Sequence, residues 1–236
     1  GMKTHILITG ASRGIGAAIA DALATDAAKV VALSSADGDL GDPAIPDQLW
    51  AKSLDRLDGR IDVLVNNAGV FETNPIGASD ADWLESWNRT LQINLTAAAL
   101  LCRHAVQHWQ ARRAAGDTSH GRIVNIASRA AYRGDSPAHW HYAASKAGMV
   151  AMTKTIARGY AHEGILAFAI CPGFTMTGMA EDYLAGRGGD TLLADIPLGR
   201  VASPEEIAEM ARWCALEAPP SMTGAILDAN GASYVR

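Results

Sequence analysis

Short apolar runs alternate along the chain with longer segments of helical periodicity. Each apolar run has a length suited to a buried strand, and the runs cover residues 5–9, 30–33, 61–65, 123–127, 167–171 and 225–227. Between them, apolar residues recur every three or four positions, most clearly from Leu84 to Trp109 and from Ala147 to Ile156. Strands that alternate with helices predict an α/β fold, a doubly wound and mostly parallel sheet with helices on both faces.

One edge of this sheet is expected to be abbreviated. From Ser34 to Pro43 the chain has no helical stretch, whereas a parallel crossover usually needs a dozen or more residues. A full third strand before Asp42 is therefore not expected. No linker, repeat or low-complexity tract is visible elsewhere, which predicts a single domain over residues 2–236, with Gly1 interpreted as the remnant of an expression tag.

Composition narrows the class of protein. Of 236 residues, 49% are hydrophobic and 19% charged, with a net charge of −5, which argues against a disordered polyelectrolyte and a nucleic-acid partner. No apolar run approaches the roughly 18–20 residues that cross a membrane. Cys102, Cys171 and Cys214 form no CxxC pair and predict buried thiols in a reducing compartment. A cytoplasmic protein without a metal or membrane partner is expected.

A glycine-rich loop follows the first predicted strand. The strand runs directly into Gly10-x-x-x-Gly14-x-Gly16, after which an amphipathic helix begins. Such glycines let the backbone approach a pyrophosphate, whose charge is favoured at a helix N-terminus. The spacing differs from the GxGxxG form, and no lysine follows as a Walker loop requires. A purely structural turn is the alternative, but the flanking strand and helix favour nucleotide binding.

Four motifs, occurring in the same order, resemble those of the short-chain dehydrogenase/reductase family. They are Thr9-Gly10-Ala11-Ser12-Arg13-Gly14-Ile15-Gly16, Asn66-Asn67-Ala68-Gly69, Tyr142-Ala143-Ala144-Ser145-Lys146, and Pro172-Gly173 followed by Thr175 and Thr177. The resemblance runs from about Lys3 to the C-terminus and is strongest to members similar to 3-oxoacyl-(acyl carrier protein) reductase. It implies a Rossmann-type fold and a nicotinamide cofactor.

The resemblance also implies four catalytic residues. Tyr142 would donate a proton to a carbonyl oxygen, or accept one from an alcohol. Lys146, which lies one helical turn away on the same face, would lower the tyrosine pKa and hold the nicotinamide ribose. Ser128 would hydrogen-bond the reacting oxygen, and Asn94 would hold a water in the proton relay. Taken alone, the Tyr–Lys pair is typical of a helix surface, and Asn94 of a solvated position.

The nucleotide contacts favour NADP, with NAD as the alternative. NAD-preferring proteins of this fold place an acid at the end of the second strand, where this chain has Ser34-Ser35. Arg13 suits a 2′-phosphate, although Asp37 would repel it if it pointed inward. The full set of implied cofactor contacts is Gly10, Ser12, Arg13, Gly14, Ile15, Gly16, Ser35, Asp39, Leu40, Asn67, Ala68, Gly69, Tyr142, Lys146, Pro172, Gly173 and Thr175.

The substrate side departs from the family pattern. Ser128 lies fourteen residues before Tyr142, one more than usual, and the extra residue falls in the segment 135–141. Its histidines, His139 and His141, either contact substrate or, as loop histidines more commonly do, face solvent. Residues 178–203 would form a mobile cover, with an apolar wall and glycine joints. The wall residues would be Met179, Tyr183 and Leu184, and the joints Gly186, Gly188 and Gly189.

These observations predict an oxidoreductase that transfers a hydride between NADP(H) and a carbonyl or secondary alcohol. The absence of an Arg or Lys cluster in the cover favours a small neutral substrate. The alternative is a non-catalytic NAD(P)-binding redox sensor or scaffold, which the complete catalytic set argues against. Relatives commonly form tetramers, so a homo-oligomer (tetramer or dimer) is expected. The stripe of Trp87, Leu91, Leu95 and Trp109 serves either that contact or the core.

Overall fold

Parallel strands and helices alternate throughout the described part of the chain, which comprises residues 2–177, 184–186 and 188–236 of a computed structural model. The strands are β1 (Thr4–Ile8), β2 (Ala28–Ala32), β3 (Val63–Asn66), β4 (Gly121–Ile126), β5 (Ile165–Pro172) and β6 (Ile226–Ala229). The helices are α1 (Gly14–Leu23), α2 (Ile45–Arg56), α3 (Asp80–Leu91), α4 (Ala97–Ala114), α5 (Ala130–Arg133), α6 (Trp140–Tyr160), α7 (Gly189–Ala194) and α8 (Pro204–Leu216). A π-helical turn, Gln92–Thr96, joins α3 to α4, and 3₁₀ turns cover Ala161–Glu163 and Pro220–Met222.

The six strands form one parallel sheet in the order β2-β1-β3-β4-β5-β6. Each apolar run of the sequence contributes a strand, so the predicted doubly wound α/β fold is confirmed. Among the described residues no strand lies outside β2, which confirms the abbreviated edge. After Ala32 the chain passes through turns to α2, where Pro46 near the helix start needs no backbone N–H partner. From α2 the chain returns to the far side of β1.

Alternate strand residues face two different helical layers. Ile6 and Ile8 pack with α1 and α8, whereas Leu7, between them, packs against the layer that contains α2, α4 and α6. The same alternation holds in β3 and β4, where Leu64 and Ile123 face the second layer. Because both faces of the sheet are covered, the strands are continuously apolar rather than alternately polar.

Hydrogen-bonded polar side chains lie buried beneath the carboxyl edge of the sheet. The Asn66 amide donates to Asn125 Oδ1 at 2.9 Å, and the Asn125 amide donates to Thr153 Oγ1 at 2.9 Å. Thr153 donates in turn to the Met149 carbonyl within α6. These contacts connect β3, β4 and α6. They fix the helix that carries Tyr142 and Lys146 against the strands that carry the cofactor motifs.

The apolar stripe from Leu84 to Trp109 divides between core and surface. Trp109 is buried, and its indole N–H donates to the Ile61 carbonyl at 2.8 Å. Its ring also fills the space in front of Gly121, where an added Cβ would lie 2.0 Å from the indole. Leu84 is half exposed. Core packing therefore accounts for the Trp109 end of the stripe, and an oligomer contact stays a prediction.

The three cysteines are free and buried, as the sequence predicted. Cys102 lies in α4, Cys171 in β5 and Cys214 in α8, each within an apolar cluster. Burial raises the pKa of the Cys171 and Cys214 thiols to about 11. No helix among the described residues has the length and apolar character needed to span a bilayer.

The buried polar chain predicts unequal costs for the same substitution at two neighbouring positions of α6. Thr153→Val removes the acceptor of the Asn125 amide and leaves that buried donor unpaired, which we expect to cost about 1–3 kcal/mol of unfolding free energy. Thr155→Val, at an exposed position that bonds only within its helix, should change stability by less than about 0.5 kcal/mol. Urea denaturation of both variants measures the difference, and equal losses would contradict this account.

Candidate active site

In the glycine loop between β1 and α1, the backbone is packed so closely that side chains do not fit at Gly10 and Gly16. Gly10 has φ +65° and Gly14 has φ +57°, values in the left-handed region that favours glycine. A Cβ at Gly16 would lie 1.8 Å from the Gly10 carbonyl oxygen, and one at Gly10 would lie 2.7 Å from Ala68 Cα. The loop therefore presents bare backbone, which a pyrophosphate can approach.

The outer side of the same loop carries exposed polar groups. Ser12 and Arg13 are exposed, and Arg13 precedes α1 without capping it through its side chain. Ile15 instead packs against the apolar cluster beneath the sheet. The Thr177 methyl group lies 3.5 Å from the position of a Gly14 Cβ, so the loop after β5 passes close by. A helix N-terminus, bare glycine backbone and an exposed arginine together fit a nucleotide diphosphate.

The loop after β3 is held against the glycine loop by Thr9. Its hydroxyl oxygen accepts hydrogen bonds from the backbone N–H groups of Asn67 and Ala68, at 3.1 and 3.0 Å. The Asn67 amide donates to the Gly10 carbonyl at 3.0 Å. A Cβ at Gly69 would lie 3.6 Å from Lys146 Nζ, which places this loop beside the candidate catalytic lysine. The sequence had given Thr9 no role of its own.

Lys146 is buried next to the end of β4. Its ammonium group donates to the Ile126 carbonyl at 3.0 Å and lies 5.8 Å from the centroid of the Tyr142 ring. Only 5% of the residue is exposed. Burial lowers the Lys146 pKa to about 8, because the charged form loses its hydration. A negative charge placed beside this ammonium group would raise its pKa again.

Tyr142 and Ser128 meet above the carboxyl ends of β4 and β5. Burial raises the pKa of the Tyr142 phenol, and a hydrogen bond with Ser128 opposes that rise. Ser128 Oγ also accepts from the Ala130 N–H at 3.1 Å, which fixes the serine at the start of α5. In this arrangement Lys146 does not reverse the effect of burial on Tyr142. Its expected lowering of the tyrosine pKa stays a prediction.

Asn94 lies in the π-helical turn and is completely buried, so it is not a solvated helix position. Its amide oxygen accepts from the Val70 N–H at 2.8 Å, and its amide nitrogen donates to the Val70 carbonyl at 3.0 Å. The nitrogen also lies 3.2 Å from Ser145 Oγ. Asn94 therefore connects the loop after β3 to the helix of Tyr142 and Lys146. Its predicted role in holding a water stays a prediction.

The turn after β2 directs its acidic groups onto its own backbone. Ser35 is exposed, while the Asp37 carboxylate accepts from the Ser34 N–H at 2.8 Å. Asp39 similarly accepts from the Gly41 N–H, and the Leu40 carbonyl accepts from the Gln92 amide at 3.3 Å. Asp37 thus closes the turn, which weakens the argument that it would repel a 2′-phosphate.

The loop after β5 is tied to both neighbouring segments. The Pro172 carbonyl accepts from the Arg129 N–H at 2.9 Å, and the Gly173 N–H donates to the Ala229 carbonyl at 2.9 Å. A Cβ at Gly173 would lie 2.7 Å from Asn230 Cβ. Thr175 is buried, donates to the Gly173 carbonyl, and forms a parallel bridge with Ala202. The predicted cofactor loop therefore has a defined conformation beside Ser128.

Both histidines of the segment 135–141 are buried, so the expectation that they face solvent is wrong. His139 stacks on Phe71 with ring centroids 3.9 Å apart, and Phe71 meets the Tyr142 ring edge-on at 4.8 Å. His141 is completely buried. Phe71 is 48% exposed and provides an apolar surface beside the phenol, a contribution that the sequence did not predict. The only available signal was a large apolar residue two positions after Gly69, the last residue of the motif.

Part of the predicted cover falls beyond the region described, since Met179 and Tyr183 lie outside the described residues. Leu184 lies against the start of α7, where a Cβ at Gly189 would come within 2.3 Å of the Leu184 carbonyl oxygen. Close backbone packing therefore requires glycine at 189. The backbone N–H of Gly189 donates to the Gly186 carbonyl, and that of Leu192 donates to Gly188. Flexible joints at these glycines stay a prediction.

Comparison with known proteins gives concordant matches over nearly the whole chain. A family model described as enoyl-(acyl carrier protein) reductase matches residues 36–231, and one described as short chain dehydrogenase matches residues 4–40. The 3-oxoacyl-(acyl-carrier-protein) reductase of Escherichia coli (strain K12) is 32% identical, with 97% of this chain and 96% of the relative covered. The reductase of that name from Synechocystis sp. is 37% identical, with 95% and 94% covered. A 3-ketoacyl-(acyl-carrier-protein) reductase from Brucella melitensis, complexed with NADH, matches with a TM-score of 0.84 at 25% identity, covering 98% of each chain.

The buried Lys146 predicts a gain in stability when its charge is removed. Lowering its pKa from 10.5 to about 8 corresponds to about 3 kcal/mol of unfavourable charge burial. Lys146→Met also loses the bond to Ile126, so we expect a net gain of about 1–2 kcal/mol near neutral pH. Because the folded state binds this proton less tightly, wild-type stability rises as pH increases from about 8 to 10.5, and the advantage of the variant shrinks there.

Chemical denaturation near neutral pH and again near pH 10 measures this difference. Lys154→Met is the matched control, because Lys154 lies on the same helix with an exposed side chain. The control should change little and show no such pH dependence. A Lys146→Met protein less stable than the wild type at neutral pH would contradict the prediction.

Proposed function

The chain belongs to the short-chain dehydrogenase/reductase family, and on that premise we propose that it transfers a hydride between NADP(H) and a carbonyl or secondary alcohol. Tyr142 is the general acid in reduction and the general base in oxidation. The observation that carries the proposal is the convergence of Tyr142, Ser128 and buried Lys146 beside a bare glycine cradle. A non-catalytic sensor or scaffold has no need of a desolvated lysine at this position.

The residues around the cradle fit a nicotinamide dinucleotide. Gly10, Gly14 and Gly16 would hold the diphosphate at the start of α1, and Asn67, Ala68 and Gly69 would border the ribose that lies next to Lys146. Pro172, Gly173 and Thr175 would border the nicotinamide. Hydride donation or acceptance is the chemistry that this cofactor supplies when bound. The protein contributes orientation and the movement of a proton.

The protonation states of Tyr142 and Lys146 suit carbonyl reduction. A phenol is protonated at neutral pH, so Tyr142 has a proton to donate. Burial raises its pKa and makes it a weaker acid, so donation depends on neighbouring groups that stabilise the phenolate. Ser128, hydrogen-bonded to Tyr142, holds the reacting oxygen in reach of that proton. Lys146, with a pKa of about 8, is mostly charged at neutral pH, and its positive charge stabilises the phenolate that donation leaves behind.

The turn after β2 supports NADP as the cofactor. Arg13 and Ser35 are exposed and free to meet a 2′-phosphate, while the Asp37 carboxylate is held by the Ser34 N–H. An NAD-preferring site would instead present an acid to the ribose hydroxyls. The nucleotide side therefore favours NADP(H) over NAD(H).

The substrate we propose is an uncharged ketone of the 3-oxoacyl type. Phe71 offers its half-exposed ring beside Tyr142, which suits an acyl chain or another apolar substituent. Arg133, at the end of α5, is paired with Asp195, so it does not demand an anionic partner. The relatives named as 3-oxoacyl-(acyl-carrier-protein) reductases make simple, uncharged 3-oxoesters the first substrates to try.

Tyr142→Phe tests the assigned acid. Removal of the phenol oxygen should lower kcat/KM by about 10²–10⁴-fold, because no group replaces the proton donor. Binding of NADPH should change by less than about twofold, since the fold and the glycine cradle are untouched. Turnover is followed by nicotinamide absorbance with 3-oxoesters, ketones and sugars. Tyr160→Phe, at the other end of the same helix, is the matched control.

Unchanged turnover in Tyr142→Phe would remove the tyrosine from the mechanism. A wild-type chain that binds NADPH but reduces none of these carbonyls, and oxidises none of the matching alcohols, would favour the sensor or scaffold instead.

Arg13→Ala tests the cofactor assignment. Loss of a charge-assisted contact to the 2′-phosphate should raise KM for NADPH about tenfold and change KM for NADH by less than about twofold. Arg56→Ala, at an exposed site at the end of α2, should affect neither value. A wild-type preference for NADH, or equal effects of Arg13→Ala on both cofactors, would overturn the NADP assignment.

A further inference from the structure

A continuous hydrogen-bonded chain of side chains connects Tyr142 to α3. It consists of His141, Ser86, Glu72 and Arg89, and we call it the His141 chain. We propose that this chain is a positioning device that fixes the first turn of α6, and with it the phenol of Tyr142, for proton transfer. The inference rests on the proposed function of Tyr142.

The need for such a device lies at the start of α6. The helix begins at Trp140, so the backbone N–H of Tyr142 belongs to the first turn and has no carbonyl partner one turn earlier. The residue that precedes the helix, His139, provides no side-chain cap. His141 Nδ1 accepts from the Tyr142 N–H at 2.9 Å. The residue next to the proposed acid therefore satisfies the acid's own backbone.

The partners of His141 define the direction of the chain. Because Nδ1 accepts a hydrogen bond, the neutral ring carries its proton on Nε2, which lies 3.1 Å from Ser86 Oγ. Ser86 donates in turn to Glu72 Oε1 at 3.3 Å. The chain thus runs from imidazole to hydroxyl to carboxylate, and each donor meets an acceptor.

Arg89 anchors the far end of the chain. Its Nε and Nη2 atoms donate to the two carboxylate oxygens of Glu72, each at 2.9 Å, in the paired geometry that a guanidinium favours. The Arg89 bond lowers the pKa of Glu72, which keeps the carboxylate charged. Glu72 is also the third residue after Gly69, so the same anchor restrains the loop that would border the cofactor.

Burial of its inner two members separates the His141 chain from an ordinary surface network. His141 is completely buried and Ser86 is 7% exposed, so water does not compete for their hydrogen bonds. Burial also lowers the pKa of His141, which favours the neutral ring that the Nδ1 contact requires. The ring projects from α6 to Ser86 of α3, and Ser86 in turn contacts Glu72 in the loop after β3. A shift of either helix would therefore move Tyr142 relative to the cofactor loop.

Three substitutions at one position separate the hydrogen bond from simple packing. His141→Phe keeps a ring but loses both polar contacts, and it should lower kcat about 10- to 100-fold with little change in NADPH affinity. His141→Asn carries an acceptor at the position equivalent to Nδ1 but cannot reach Ser86, so it should recover kcat only in part, to about the level of Ser86→Ala. His141→Gln has no acceptor there and should stay close to His141→Phe.

A double substitution tests whether His141 acts through Tyr142. In a Tyr142→Phe background, His141→Phe should cause no further loss of kcat, because the group being positioned is already absent. Ser86→Ala breaks the chain from α3 without altering α6, and it provides a second variant if His141→Phe does not fold. Glu85 also contacts Arg89 but is not a member of the His141 chain, so Glu85→Gln is a control that should leave kcat unchanged.

Amide hydrogen exchange at Tyr142 reads the contact without any turnover. We expect exchange to accelerate at least about tenfold in His141→Phe and to return toward the wild-type rate in His141→Asn. Wild-type kcat and exchange in a folded His141→Phe protein, or additive losses in the double variant, would overturn the proposal. Failure of the proposed function is seen separately, as absence of turnover in the wild-type chain.

Discussion

The contact between the loop after β3 and the glycine loop is the interaction on which the rest of the site depends. Thr9 and Gly10 hold Asn67 and Ala68 so closely that only glycine fits at position 10. Beyond that contact the same loop continues to the rest of the site. Gly69 lies next to Lys146, and the Val70 backbone hydrogen-bonds with Asn94. Glu72 then belongs to the His141 chain. Six consecutive residues thus connect the nucleotide cradle, the buried lysine and the helix of Tyr142. A shift in this loop would disturb all three together.

The same site concentrates groups that stability alone would not select. Lys146, Asn94 and His141 are buried. Burial lowers the pKa of the lysine and of the histidine, which favours their neutral forms. Each is held by specific partners, which offsets part of the cost of burial. The polar chain of Asn66, Asn125 and Thr153 lies directly beneath and keeps α6 against the strands. The fold therefore supplies rigidity from the sheet below, while the loops above carry the perturbed groups.

The sequence predicted those features whose causes are local. Strands covered on both faces are continuously apolar, and the glycine and YxxxK motifs are contiguous, so the fold and most candidate residues could be read directly. The burial of His141 could not be predicted from the sequence, because its partner Ser86 lies 55 residues away and only the packed fold brings the two side chains together. Loop histidines commonly face solvent, and that general tendency gave the wrong answer here. The π-helical turn at Asn94 could not be predicted either, because the apolar residues around it keep spacings of three or four that an ordinary α-helix also shows.

Among the described residues, the abbreviated edge of the sheet is followed by a turn rather than by a further strand. With β2 at the edge, the residues that follow it are not held by a further strand among the described residues, and their own side chains must close the turn. Asp37 and Asp39 do so by accepting backbone N–H groups, and Gln92 fixes Leu40 against the π-helical turn. A carboxylate used in this way is less available to a ribose hydroxyl. The short crossover therefore supports the proposed preference for NADP, since the end of β2 is followed by Ser34 and Ser35 and the carboxylate of nearby Asp37 is used to close the turn.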